Sequence, residues 1–132
     1  MNFDFYEPVH IVFGAGKVDT IGDYAKKYGK KALIVTGRSS AKKSGLYDRV
    51  KDALKAEGID SVLFDEVRQN PLTTTAQKGA DMAKAEGCEL VVALGGGSIM
   101  DCAKSIAFLA VNDGDINDYI FGRKVSDEAL PM

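Results

Sequence analysis

Apolar and polar residues fall in blocks along the chain, and the period changes from block to block. Val9, Ile11 and Phe13 alternate with His10 and Val12, which predicts a strand ending at Gly14-Ala15-Gly16. Val18, Ile21, Ala25 and Tyr28 share one helical face, and Gly29 stops that helix. Ala32-Leu33-Ile34-Val35 is an unbroken apolar run of strand length, as expected of a parallel strand covered on both faces. After the polar loop Thr36 to Gly45, Leu46, Val50, Ala53 and Leu54 predict a second helix, closed by Gly58. Ser61-Val62-Leu63-Phe64 is the next strand, followed by an Asn70-Pro71 turn. Thr74 and Gln77 have the spacing of a capping box at the start of a third helix. That helix carries a face of small residues, Ala76, Ala80 and Ala83, and ends at Gly87. Leu90 to Leu94 is the most apolar strand of all. A glycine turn follows, and Ile99, Ala103, Ile106, Ala107 and Ala110 mark a last helix face. From Asn112 to Met132 the chain is polar and without strong periodicity.

Strands and helices therefore alternate with short links. The expected fold is α/β: a mostly parallel, Rossmann-like sheet with helices on both faces, forming one domain over residues 1–132. Ligands of such sheets bind beyond the carboxyl ends of the strands. The loops there begin at Gly14, Gly37, Asp65 and Gly95.

Composition narrows the choice of partners. The chain is 45% hydrophobic and 27% charged, with a formal net charge of -2. That balance gives no electrostatic case for a nucleic-acid or anionic-membrane partner. No apolar run approaches membrane-spanning length, and Met1 to Phe5 lacks the layout of a signal peptide, so a cytoplasmic location is expected. Cys88 and Cys102 are too far apart in sequence for a metal motif and read as small packing residues. With His10 as the single histidine, no histidine-rich metal site can be built from this chain, and His10 itself reads as structural or surface.

Gly95-Gly96-Gly97-Ser98 stands between a buried strand and a helix. A helix start offers free N–H groups and a favourable dipole, and glycines let a phosphate come close. A plain turn with Ser98 and Asp101 as a capping box would explain those two residues, but it does not call for three glycines. The usual dinucleotide fingerprint is absent. Asp19 stands where the first turn would need its third glycine, and Met100 stands there in the second. A P-loop is excluded as well, because no Lys-Ser or Lys-Thr pair closes the turn.

The run GGGSIMDCAK, Gly95 to Lys104, resembles the GGGSxxDxAK signature of the iron-containing (group III) alcohol dehydrogenase family. Phe13-Gly14-Ala15-Gly16, Ala32 to Thr36, Asn70-Pro71, Gly122 and Leu130-Pro131 are also similar to that family's pattern, so the resemblance spans nearly the whole chain. It implies a two-domain oxidoreductase acting on small alcohols and aldehydes. An N-terminal domain takes NAD or NADP, and an all-helical domain holds a divalent metal such as iron or zinc. Residues 1–132 correspond to the cofactor domain, so the metal domain is expected to lie outside them, no residue of this chain is expected to bind metal, and the chain alone is expected to be inactive. A homodimeric parent is compatible with the resemblance.

Cofactor contacts are expected at Gly95, Gly96, Gly97 and Ser98 for the pyrophosphate, and Asn70 toward the adenine. Gly14 and Gly16 would shape the cleft wall. Asp101 is either a cleft residue on the nicotinamide side or only a capping acid, no catalytic residue is otherwise assigned, and Lys104 would pair with Asp101 on the helix surface. NAD-using relatives commonly carry an aspartate where this chain has Gly37. Gly37, Arg38, Ser39 and Ser40, followed by Lys42 and Lys43, offer a 2′-phosphate hydroxyls and cations instead of a carboxylate. NADP is therefore the expected cofactor, with NAD the alternative. A glycerol dehydrogenase or dehydroquinate synthase type of enzyme using NAD, and a non-catalytic nucleotide-binding module, remain open.

Overall fold

The computed structural model describes residues 1–69 and 73–132. Three parallel strands form the sheet: β1 (Lys31–Gly37), β2 (Asp60–Val67) and β3 (Leu90–Leu94), in the order β2-β1-β3. Because β1 is central, its side chains are covered on both faces, and Ala32 to Thr36 are all fully buried. The expected parallel α/β fold is the observed one.

Alternation along the strands divides the core in two. Leu33, Val35 and Val91 face one side, where they meet α4 (Thr73–Glu86) and α5 (Gly97–Leu109) through Ala76, Ala80, Ala83, Ala103 and Ile106. Ala32, Ile34, Leu90, Val92 and Leu94 face the other side. There they meet α1 (Ile21–Ala25), α2 (Ser40–Lys43) and α3 (Leu46–Ala56) through Ala25, Ala41, Val50 and Leu54. The small face of α4 has a steric purpose. A Cβ added at Gly79 would run into the Ile106 side chain and lie 3.2 Å from the Phe64 ring, so glycine lets α4 settle close to α5 and the sheet.

Several elements differ from the expectation. Residues 1–13 form no strand, and Phe3, Phe5, Ile11 and Phe13 are exposed. An alternating pattern makes a strand only where a sheet edge offers partners, and this segment has none among the described residues. The helix expected from Val18 to Tyr28 is a 3-10 turn, Lys17–Thr20, followed by the five-residue α1. Thr74 lies inside α4, and Gln77 donates forward to Asp81 at 2.9 Å, so no capping box joins them. The tail is more ordered than its composition suggests. It contains α6 (Ile116–Ile120), capped by Asp115, whose carboxylate accepts from the Asn117 N–H at 2.7 Å. Asn112 is buried and donates to the carbonyls of Phe108 and Glu128, both at 2.8 Å. The Leu130 N–H then donates to the Ala107 carbonyl, and the Val91 N–H donates to the Pro131 carbonyl, so the tail returns to the outer edge of β3.

Among the described residues no helix is long and apolar enough to cross a membrane. Residues Ile21, Tyr24, Tyr28, Leu90, Met100 and Met132 line an apolar groove of about 300 Å³ along the β3 edge.

Candidate functional site

The carboxyl ends of β1 and β3 lie side by side, with Thr36 opposite Leu94. Two of the expected site segments, Gly37 to Ser40 and Gly95 to Ser98, leave the sheet from these ends. Ile99 joins them. A Cβ at Gly37 would lie 3.5 Å from the Ile99 Cδ1, and one at Gly95 would lie 2.5 Å from its Cγ1. Gly95 also has φ 152°, a conformation that side chains rarely adopt. Its glycine is therefore demanded by the chain's own packing.

Gly96 and Gly97 are different. A Cβ on either would meet nothing within 4 Å. Neither has positive φ, and Gly96 is extended with φ -82° and ψ -166°. Nothing within the described protein requires glycine at these two positions. What a missing Cβ provides there is room for something approaching from outside.

The same turn presents uncommitted donors. α5 begins at Gly97 with Gly96 as its N-cap, and no side chain caps it. The Ile99 and Met100 N–H groups both donate to the Gly96 carbonyl at 3.1 Å. The N–H groups of Gly97 and Ser98 precede the first intrahelical bonds and have no acceptor among the described residues. The capping box that Ser98 and Asp101 would make in a plain turn does not form. A box needs the hydroxyl at the N-cap, whereas Ser98 is already the second residue of the helix. Open space, free N–H groups and the positive end of a 13-residue helix give this turn the features of an anion cradle.

The remaining residues divide. Arg38, Ser39 and Ser40 are exposed and continue from Gly37 at the same end of the sheet. Thr36 is buried, and its hydroxyl donates to the Gly37 carbonyl at 2.8 Å. Asp101 is exposed on α5. It lines a cavity of about 270 Å³ with Thr73, Ala76, Cys102, Ser105, Ile116 and Ile120, and none of residues 95–98 lines it. Its nearest cation is Lys104 at 3.8 Å, an exposed pair on the helix surface. Gly14 lines a third cavity with Lys17, Val18 and Tyr24, again without the glycine turn. Asn70 lies outside the described residues. His10 is exposed and packs edge-on against Tyr24 at 5.1 Å between ring centroids.

One feature of this end was missed in the sequence. β2 bulges against β1, so that the pairing Val35–Phe64 is followed by Gly37–Val67. Asp65 stands in the bulge and forms an ion pair with Lys42 of α2. The sequence marks Asp65 as the start of a loop at this end, whereas β2 continues to Val67, and nothing in the sequence signals the bulge or the pairing with Lys42.

Among the described residues no three His, Cys, Asp or Glu side chains gather as a metal ion would need. Cys88 and Cys102 are buried, and burial pushes both thiols above their ordinary range.

Comparison with known proteins identifies the family and the fold. The model of the family "iron-containing alcohol dehydrogenase" matches residues 8–132. The NADH-dependent butanol dehydrogenase A of Clostridium acetobutylicum is 39% identical over 132 residues, covering 100% of this chain and 34% of that protein. The crystal structure of NADH-dependent butanol dehydrogenase A from Thermotoga maritima superposes with a TM-score of 0.92 at 41% identity, covering 98% of this chain and 33% of that one. The sulfoacetaldehyde reductase of Bifidobacterium kashiwanohense, solved in complex with NAD+, gives a TM-score of 0.88 at 34% identity, covering 99% and 35%. The chain spans about a third of the length of the relatives it matches.

Proposed function

The chain belongs to the iron-containing alcohol dehydrogenase family, and from that premise we propose that it is the dinucleotide-binding part of an oxidoreductase interconverting small alcohols and aldehydes. The observation that carries the proposal is the pair Gly96 and Gly97, glycines that internal packing does not require, at a helix start with free N–H groups. In this reading Gly96, Gly97 and Ser98 hold the pyrophosphate, and Gly95 with Ile99 shapes the turn. Gly37, Arg38, Ser39 and Ser40 run beside the adenosine ribose, and Asn70 remains assigned to the adenine end. A bound nicotinamide supplies hydride transfer. The described residues do not assemble a metal site, so no step through a metal is assigned to them.

We take NAD(H) as the working cofactor, in place of the NADP(H) expected from the loop's composition. The support is that both butanol dehydrogenases are named for NADH and the sulfoacetaldehyde reductase was solved with NAD+. Substrates of the butanol and sulfoacetaldehyde kind, a cytoplasmic setting and a homodimeric parent are parts of the same proposal.

Calorimetric titration of the chain with NADH tests it. Saturable one-site binding, displaced by ADP-ribose, is expected. No binding of either NADH or NADPH at millimolar concentration would remove the proposal.

A further inference from the structure

The loop after β1 has the composition of a 2′-phosphate site. It has no carboxylate of its own, and it carries Arg38, Ser39, Ser40, Lys42 and Lys43 within six residues. The folded chain changes that account. Lys42 is not free for a ligand, because Asp65 holds it in an ion pair across the gap between α2 and β2. Asp65 reaches that position because the bulge places Asp65 and Glu66 between the Val35–Phe64 and Gly37–Val67 pairings. Bulges redirect side chains in this way beside functional sites. Glu66 points elsewhere, to Lys78 at 3.4 Å.

We propose that Asp65 is a cofactor-selectivity residue. By occupying Lys42 and placing a carboxylate beside the Arg38–Ser40 loop, it turns a loop composed for a 2′-phosphate into one that favours the unphosphorylated ribose. The inference rests on the dinucleotide reading above. Its physical basis is simple. A 2′-phosphate entering this loop brings about two negative charges near pH 7. It would have to take Lys42 from Asp65, and then sit near a carboxylate left without its partner. NADH asks for neither change. Asp65 acts through Lys42, so it is a positioning residue, and both side chains are partly exposed, at 36% and 42%. Solvent therefore moderates the effect.

Titrations with NADH and NADPH on the wild type, Asp65→Asn, Asp65→Glu, Lys42→Met and the double variant Asp65→Asn/Lys42→Met test the proposal. The wild type is expected to prefer NADH. Asp65→Asn should raise NADPH affinity about tenfold, the size of one partly screened charge-assisted hydrogen bond, and leave NADH affinity within about twofold. The gain should shrink as salt is raised and vanish in the double variant. Asp65→Glu should keep the wild-type preference. Lys42→Met alone should lower NADPH affinity several-fold and leave NADH affinity within about twofold, because it leaves the Asp65 carboxylate unpaired beside the loop. Melting temperatures report any loss of fold, and Asp65→Ser replaces Asp65→Asn if the amide proves disruptive. An unchanged NADPH-to-NADH ratio in folded Asp65→Asn overturns the proposal. So does a gain that survives removal of Lys42. Absence of NADH binding in the wild type overturns the dinucleotide reading beneath it.

Discussion

Gly97→Ala separates the two reasons a glycine can occupy this turn. The new methyl group would meet nothing within 4 Å, and the residue is the first of α5 with no positive φ. Alanine restricts the unfolded chain more than glycine and suits a helix better, so the free protein should gain about 0.5–1 kcal/mol. For a chain of this length that raises Tm by about 2–4 °C. The same methyl group fills the space a pyrophosphate needs, so NADH affinity should fall at least about tenfold, equivalent to ~1.4 kcal/mol. The two effects have opposite sign, which a general loss of structure cannot imitate. Gly95→Ala is the contrast. With φ 152° and the Ile99 Cγ1 only 2.5 Å from the new Cβ, it should cost about 2–4 kcal/mol from strain and overpacking together. Urea unfolding and calorimetric titration of both variants check this. If Gly97→Ala binds NADH like the wild type, or lowers stability, the cradle reasoning is wrong.

Two further outcomes concern the core. Ile106 is fully buried and packs where α5 meets Gly79 of α4, so Ile106→Ala should cost about 3–4 kcal/mol in urea unfolding. Burial raises the Cys102 and Cys88 thiols, so native protein at pH 8 should react with iodoacetamide far more slowly than urea-unfolded protein. The linked pH effect has a definite sign. A folded value above the unfolded one means the unfolded chain releases protons first. This contribution to stability is therefore complete below the ordinary thiol range and is lost as pH rises through the raised folded values. Cys102→Ala should flatten that alkaline decline, and an unchanged slope would contradict the assignment.

The strands, their order of burial and the glycine turn were legible because each rests on local pattern. A run such as Ala32 to Val35 is apolar on both sides only if both faces are covered, and β1 is indeed the central strand. The small face of α4 was visible too, although only packing shows that Gly79 belongs to it. Where the pattern misled, the missing information lay in a partner. Residues 9–13 alternate like a strand but have no edge to join among the described residues. Ser98 and Asp101 have capping-box spacing, but the helix starts one residue before Ser98.

The sequence by itself determined the α/β architecture, the family signature and the position of the glycine turn. Period, glycine placement and motif spacing are properties of the chain read in order. Only the tertiary structure decided which glycines are there for packing and which leave room for a ligand, since that depends on Ile99 and on empty space. It also decided that Lys42 pairs with Asp65. Twenty-three residues separate Lys42 from Asp65 in sequence. A loop's charges count for a ligand only after its neighbours in space have taken their share.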